Sequence, residues 1–149
     1  MSQTYGIREC RYEDCPAVLD LWRQAEAIPS RTDTVDELQR LVGENTGLFL
    51  IAEEGGRLIG TIIGGWDGWR ANVYRLAVLP EIRRRGVARS LVAEVERRLR
   101  AKGARRVSAL VVKSEDHAMG FWEAAGYEND RRMIRYVKTL DLETTRGGS

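Results

Sequence analysis

Val73-Tyr-Arg-Leu-Ala-Val-Leu-Pro-Glu-Ile-Arg-Arg-Arg-Gly-Val-Ala-Arg-Ser-Leu-Val92 decides how this chain is read. It runs from a strand through a basic glycine turn into the first turns of an amphipathic helix. A helix start carries unpaired N–H groups and partial positive charge, which suit a phosphate. Arg83, Arg84 and Arg85 place fixed cations beside those donors, and Gly86 lets a ligand approach the backbone. The stretch predicts a phosphate-bearing cofactor held by main chain against the end of a strand.

Working outward, 149 residues suffice for one domain with a real core. The mix of 43% hydrophobic and 31% charged residues is that of a globular protein. Net charge is +2, so no global field points to nucleic acid, although 21 arginines stand against 3 lysines. Cys10 and Cys15, with a single distant histidine, make no metal framework and read as buried thiols of a cytoplasmic protein. The N-terminus lacks the apolar run of a signal peptide, and no stretch of apolar residues is long enough to span a membrane. Residues 144–149 have the composition of a disordered tail, leaving a single domain over 1–143.

Periodicity predicts the elements around the opening stretch. Tyr5 to Arg11 reads as a strand. Asp14 and Pro16 open a helix carrying Val18, Leu21, Trp22 and Ala25 on one face. Thr34 and Glu37 form the capping pattern of a second helix that ends near Gly43. Leu48 to Glu53 and Arg57 to Gly65 pair through a Gly55-Gly56 turn, and a turn at Trp66 to Trp69 leads into a strand over Ala71 to Val78. Ala88 to Ala101 is an amphipathic helix, Arg106 to Val112 a buried strand, Glu115 to Ala125 a short helix, and Met133 to Leu140 a last strand. The order is β-α-α-β-β-β-α-β-α-β.

Two blocks then carry a resemblance. Arg83-Arg84-Arg85-Gly86-Val87-Ala88 is similar to the cofactor loop Arg/Gln-x-x-Gly-x-Gly/Ala of the GNAT superfamily, the Gcn5-related N-acetyltransferases. In so arginine-rich a chain the pattern alone is weak; the strand before it and the helix after it make it specific. Ala118-Met-Gly-Phe-Trp-Glu-Ala-Ala-Gly-Tyr127 resembles the family's later helix, one strand further on. Gly64-Gly65-Trp66-Asp67-Gly68 looks like a small bacterial branch, YpeA-like and related to ribosomal-protein acetyltransferases.

The resemblance implies an α+β (α/β) GNAT fold: a mixed, mostly antiparallel central sheet whose parallel strands 4 and 5 splay apart. It implies acetyl-CoA in that splay, with no metal. The cofactor would lie on Leu76, Ala77, Val78, Arg83, Arg84, Arg85, Gly86, Val87, Ala88 and Arg89, and near Phe121 and Trp122. A main-chain N–H of this strand, assigned to Val78, would polarise the thioester carbonyl. Trp66 and Trp69 would wall an acceptor pocket, or else serve turn and core packing.

The resemblance also implies direct attack by a small-molecule or protein amine, no nucleic acid, no membrane, and room for a homodimer. The family's tyrosine acid falls at Trp122, whose indole cannot donate a proton at useful pH, and the acidic position early in strand 4 falls at Asn72. Asp67, Tyr74, Glu115 and His117 are left as candidates for proton handling. Each has a plainer alternative: a turn for Asp67, strand packing for Tyr74, a helix start for Glu115 and His117. The departure at Trp122 also allows a CoA-binding module with little turnover.

Overall fold

The computed structural model describes residues 4–44, 47–112 and 116–140, with the backbone alone at 116 and 117. Two compact units are present, Met1–Val111 and Val112–Ser149.

In the first unit β1 (Gly6–Glu9), β2 (Phe49–Glu54), β3 (Arg57–Trp66), β4 (Ala71–Val78) and β5 (Val107–Ala109) form one sheet in chain order. All neighbours are antiparallel except β4 and β5, which run parallel. A parallel pair needs a crossover, and α3 (Val87–Lys102) supplies it. Between β1 and β2 the chain forms α1 (Cys15–Gln24) and α2 (Val35–Glu44). Thr34 Oγ1 accepts the Glu37 N–H at 3.2 Å, the cap that the sequence predicts. Asp14 behaves otherwise. Its carboxylate makes no cap to α1 and is held by Arg8 at 2.7 Å and by the Arg11 N–H at 2.8 Å. Cys10 and Cys15 are free and buried, and burial pushes both thiols up from their ordinary range.

Strand β3 is the centre of the core, and its two faces have different tasks. Side chains alternate along a strand. Gly60, Ile62 and Gly64 face α3; Ile59, Thr61 and Ile63 face α1. A Cβ placed on Gly64 would lie 2.7 Å from Val95 Cγ2, and one on Gly60 would lie 3.1 Å from Leu91 Cδ1. The missing side chains let α3 settle directly onto the sheet, where Val87, Leu91, Val95 and Leu99 are fully buried.

On the other face sits Thr61, a fully buried polar side chain. Its Oγ1 accepts the Trp22 indole N–H at 2.9 Å and donates to the Arg75 carbonyl at 2.9 Å. Arg75 is where β4 departs from a regular ladder. Ala77 is paired with Thr61 and Tyr74 with Ile63, so Arg75 and Leu76 together oppose Ile62 alone. This is a β-bulge, and Arg75 adopts a left-handed φ of 56°. A non-glycine residue there is strained by about 1–3 kcal/mol. Several contacts hold it. Besides the Thr61 bond, Arg75 Nη2 lies 2.8 and 2.7 Å from the two oxygens of Asp33, Nη1 donates to the Ile28 carbonyl at 3.0 Å, and the guanidinium covers the Trp22 ring at 4.8 Å. One neutral bond contributes about 1 kcal/mol and a charged one about 1.5–3 kcal/mol, enough together to exceed the strain.

In the second unit α4 (Asp116–Ala124) ends at Gly126, and Tyr127 N–H returns to the Trp122 carbonyl at 3.0 Å. Trp122 is buried between Phe121 and Tyr127, with ring centroids 5.4 and 4.8 Å away. Met133 to Leu140, predicted as a last strand, forms none. Met133, Ile134, Tyr136, Val137 and Leu140 are 67–87% exposed, and no ladder runs along them. Strand propensity alone does not make a strand; the N–H and C=O row needs a neighbour. The predicted tail, 144–149, lies outside the described residues.

Replacing Thr61 by Val leaves the Trp22 N–H and the Arg75 carbonyl without their buried partner. Urea unfolding of Thr61→Val is expected to show a loss of about 1–3 kcal/mol relative to wild type. A change under about 0.5 kcal/mol would mean that the bulge does not depend on this bond.

Candidate functional site

The site follows from where β4 lacks a partner. Its parallel pairing with β5 runs only over Ala71↔Val107, Asn72↔Ser108 and Val73↔Ala109. Beyond Ala109 the β5 chain continues without a ladder, and Leu110 is half exposed. From Tyr74 to Val78 no strand among the described residues pairs with this edge of β4, which is called the open edge below.

The antiparallel register tells which groups face the opening. Leu79 N–H donates to the Ile59 carbonyl at 3.0 Å, so that pair is hydrogen-bonded. Bonded and non-bonded pairs alternate, so Ala77 also bonds across to Thr61. Leu76 and Val78, its neighbours, turn their N–H and C=O groups away from β3 and toward the open edge. These two were predicted to carry free main-chain groups, and the register directs them there; Ala77 N–H, by contrast, is engaged with β3.

The phosphate loop lies just past this edge. Leu79 leads into a short 3-10 turn at Pro80–Ile82, and then come Arg83 to Gly86. Arg84 and Gly86 take left-handed φ values of 69° and 83°. Gly86 is followed directly by helical Val87, a left-right alternation that curves successive N–H groups around one point. The first bond of α3 is Ser90 N–H to the Gly86 carbonyl at 3.0 Å. The N–H groups of Val87, Ala88 and Arg89 therefore have no intrahelical acceptor, and no side chain caps them. The space at the Gly86 Cα is open, with no atom within 4 Å of where a Cβ would stand. An anion can reach these donors.

The three loop arginines are not equivalent. Arg85 is turned back onto the sheet, where Nη1 and Nη2 lie 3.1 and 2.5 Å from the two oxygens of Glu54 at the end of β2, and Nη2 also reaches Thr4 Oγ1 at 2.7 Å. Thr4 in turn donates to Glu54. The Arg85 guanidinium beside it holds the Glu54 carboxyl down at about 2. Arg85, predicted as a cofactor contact, is by its side chain a tie between the loop and β2. Arg83, Arg84 and Arg89 are exposed and have no side-chain partner among the described residues. Tyr5 adds a second tie: its hydroxyl meets Ser90 Oγ at 2.8 Å.

The predicted acceptor and proton residues separate. Asp67 is a turn residue. Its Oδ1 accepts the Trp69 and Arg70 N–H groups at 2.8 and 2.7 Å, which lowers its carboxyl below the ordinary range. A carboxylate held that way is a poor base, and the hairpin tip is about 16 Å along β4 from Arg75. Asp67 here does the work of the turn, the plainer of the two readings given for it. Trp66 is half-buried on the α3 side, its ring edge 3.8 Å from the Cβ position of Gly103 at the end of α3. Gly103 is a helix length of 16 residues, about 24 Å, from Gly86. Trp69 is exposed at the same tip, stacked on Arg70 at 4.3 Å. The structure thus places both tryptophans in the turn and core packing that was the alternative to an acceptor wall.

Tyr74 differs. It pairs with Ile63, so it lies on the α1 face, and the bulge brings the next side chain, Arg75, to that same face. Phe121 and Trp122 belong to the second unit, as described above. Glu115 and the side chain of His117 lie outside the described residues. Sequence reasoning missed Arg75 and its partner Asp33; a lone arginine within a strand carries no local signal of a bulge.

Among the described residues, then, β4 has no ladder partner on the β5 side beyond Val73, and the chain runs on from that edge to an uncapped, glycine-led helix start. The family model described as acetyltransferase (GNAT) family matches residues 15–127. The chain belongs to this family and is an N-acetyltransferase. Solved structures share the fold. Ard1 from Thermoplasma volcanium is 22% identical with a TM-score of 0.75, over 83% of this chain and 82% of that one. The PaiA N-acetyltransferase from Thermoplasma acidophilum, in complex with coenzyme A, is 20% identical with a TM-score of 0.72, over 82% and 88%. The aminoglycoside N-acetyltransferase AAC(6')-Iy, in complex with CoA, is 22% identical with a TM-score of 0.71, over 94% and 98%. No group of metal-ligating side chains occurs among the described residues, and no helix among them is long and apolar enough to cross a membrane.

The Glu54 tie carries a pH signature. Its carboxyl falls from an ordinary 4.5 to about 2 on folding, so the stabilisation it gives is complete above about pH 4.5 and is lost as pH drops toward 2. The stability difference between wild type and Glu54→Gln, measured by thermal unfolding from pH 7 downward, is expected to stay constant to about pH 4.5 and then shrink. A difference that shrinks already between pH 7 and 5 would assign the effect to another group.

Proposed function

We propose that this protein transfers an acetyl group from acetyl-CoA to a primary amine by direct attack within a ternary complex. The single observation that carries this reading is the open edge at Leu76 and Val78, continuous with the uncapped start of α3. The fit is one of donor type and room. Main-chain N–H and C=O groups await a strand-like amide chain, and convergent N–H groups beside open space at Gly86 await an anion. Residues 83–89 would take the diphosphate chiefly through backbone, with Arg83, Arg84 and Arg89 adding charge. When bound, acetyl-CoA supplies the activated acetyl group as a thioester.

The rest is the work of this chain. The outward N–H of Val78, or that of Leu76 beside it, is a fixed dipole that stabilises charge developing on an oxygen placed at the edge. An attacking amine must be neutral, and a free lysine amine has a pKa of about 10.4. Tyr74, which shares the α1 face, handles that proton through water in this reading, because its hydroxyl is turned over Gly65 of β3 and away from the open edge. It is partly exposed, and its hydroxyl lies over Gly65, where a Cβ would be only 2.5 Å away. The acceptor then enters on the α1 face, past Tyr74 and the connection between α1 and α2. Phe121 and Trp122 are kept in this reading as family-implied cofactor contacts.

We take 1–143 as one transferase domain, since the family match crosses the junction between the two units. The small YpeA/ribosomal-protein-acetyltransferase-like branch remains supported by Gly64–Gly68, and a cytoplasmic place by two free buried thiols. The acceptor is a small-molecule or protein amine, and a homodimer is compatible with this reading.

Acetyl-CoA is expected to raise the melting temperature of wild type by mass action. Gly86→Asp should abolish that rise, whereas Arg84→Ala should weaken binding by less than about tenfold, because backbone contacts outweigh one exposed guanidinium. Thiol release should follow on adding amines from a panel of small polyamines, aminoglycosides and peptides with free N-termini. Tyr74→Phe should lower kcat about 100-fold while leaving the acetyl-CoA-induced rise intact. The absence of any rise at millimolar acetyl-CoA refutes the cofactor reading. A rise without thiol release would mark a CoA-binding module, the alternative that tryptophan at the family's tyrosine position motivates.

A further inference from the structure

The two ties on the loop before α3 share a source. Thr4 and Tyr5 are consecutive residues at the entry to β1, and the pairing of Gly6 with Glu53 sets them beside Glu54 at the end of β2. Thr4 Oγ1 accepts from Arg85 Nη2 at 2.7 Å and donates to Glu54. The hydroxyl of half-buried Tyr5 donates to the Gly86 carbonyl at 3.4 Å and meets Ser90 Oγ at 2.8 Å. One hydroxyl can serve both, as donor to the carbonyl and acceptor from the serine.

Each of these bonds takes up a carbonyl or a side chain. None takes up the Val87, Ala88 or Arg89 N–H groups, and nothing fills the space at the Gly86 Cα. The conformation they hold is a strained one, since Arg84 is a non-glycine residue at a left-handed φ of 69°. The backbone is thus fixed from behind while its donors stay free in front. Fixing a loop in its binding conformation removes the ordering cost that a ligand would otherwise meet.

We propose that Thr4 and Tyr5 are positioning residues for the cofactor: they set the cradle at residues 83–89 before the cofactor arrives, and so make the protein select a thioester donor that carries a diphosphate. The proposal rests on the reading of that loop as part of the acetyl-CoA site. Its consequence is selective. Loss of the two hydroxyls weakens a donor with a diphosphate and spares one without. The open edge of β4, which takes the amide arm in the same reading, is three strands away from β1.

Two substitutions and two donors test this. Tyr5→Phe keeps the ring and removes one hydroxyl; Thr4→Val keeps the shape and removes the other. Acetyl-CoA is compared with S-acetylpantetheine, which has the same thioester and amide arm and no diphosphate. By calorimetric titration the acetyl-CoA Kd should rise about fivefold in Tyr5→Phe and about twentyfold or more in the double variant, as expected for one and two lost hydrogen bonds. With the amine of fastest thiol release as acceptor, kcat at saturating acetyl-CoA should stay within about twofold, and so should kcat/KM for S-acetylpantetheine. In the ligand-free protein, amide exchange across residues 84–89 should speed up by a factor similar to the change in Kd.

If either the acetyl-CoA Kd or the exchange of residues 84–89 stays within about twofold of wild type in the double variant, the proposal is refuted. If acetyl-CoA and S-acetylpantetheine suffer alike, Thr4 and Tyr5 are merely structural and the proposal falls. If wild type itself shows no preference for acetyl-CoA over S-acetylpantetheine, it is the parent reading of the loop that fails. The exchange comparison then still decides whether Thr4 and Tyr5 hold the loop.

Discussion

One hydroxyl ties the architecture together. Thr61 Oγ1 bonds Trp22 on α1 and the carbonyl of Arg75 on β4, each at 2.9 Å. A hydroxyl can accept and donate at once, which valine cannot. It therefore joins two layers and stabilises a backbone conformation that arginine adopts only under strain. The extra residue this admits into β4 has two results. It puts Tyr74 and Arg75 on the same face of the sheet, where strict alternation would have put them on opposite faces. It also breaks the regular line of β4 where its neighbour β5 falls away. The open edge exists because β5 stops pairing after Ala109, and it is ordered because β4 is held from behind by β3 and Thr61.

The opposite face supplies the second constraint. Gly60 and Gly64 leave no side chains toward α3, so the helix lies close on β3. Its length and contact line then place its start next to the end of β4. Donors at the helix start and donors on the strand edge thus follow one continuous path. Packing of a helix on a sheet, a matter of core volume, decides the spacing between two parts of a binding site that share no side-chain contact.

Much of this was legible in the sequence for identifiable reasons. Helix α3 announces itself through Leu91, Val92, Val95 and Leu99, and its start through Gly86, although the helix begins one residue before the expected Ala88, at buried Val87; both signals are local and periodic. The Gly55-Gly56 hairpin and the Thr34 cap are equally local, and all were read correctly. The bulge at Arg75 was not readable, since nothing in Tyr74-Arg75-Leu76 distinguishes a bulged pair from a regular one; Thr61, which bonds its carbonyl, is 14 residues away. The direction of Trp66 could not be read, because it depends on strand register, which flips with a single residue. Arg85 was grouped with its neighbours because a run of like residues hides differences that only tertiary partners create. Met133–Leu140 has the composition of a strand and lacks a ladder, which composition does not report.

If the loop takes an anion as proposed, Glu54 has an effect on affinity that its position outside the loop conceals. By neutralising Arg85 it removes one unit of positive charge from the approach path of a dianionic group. In exchange the loop is held in the conformation that presents its N–H donors. Attraction at long range and order at short range thus oppose each other at one carboxylate. On that reading a lineage that lost Glu54 would collect anions faster and hold them less well, with association and dissociation rates both rising and the change showing only partly in the equilibrium constant.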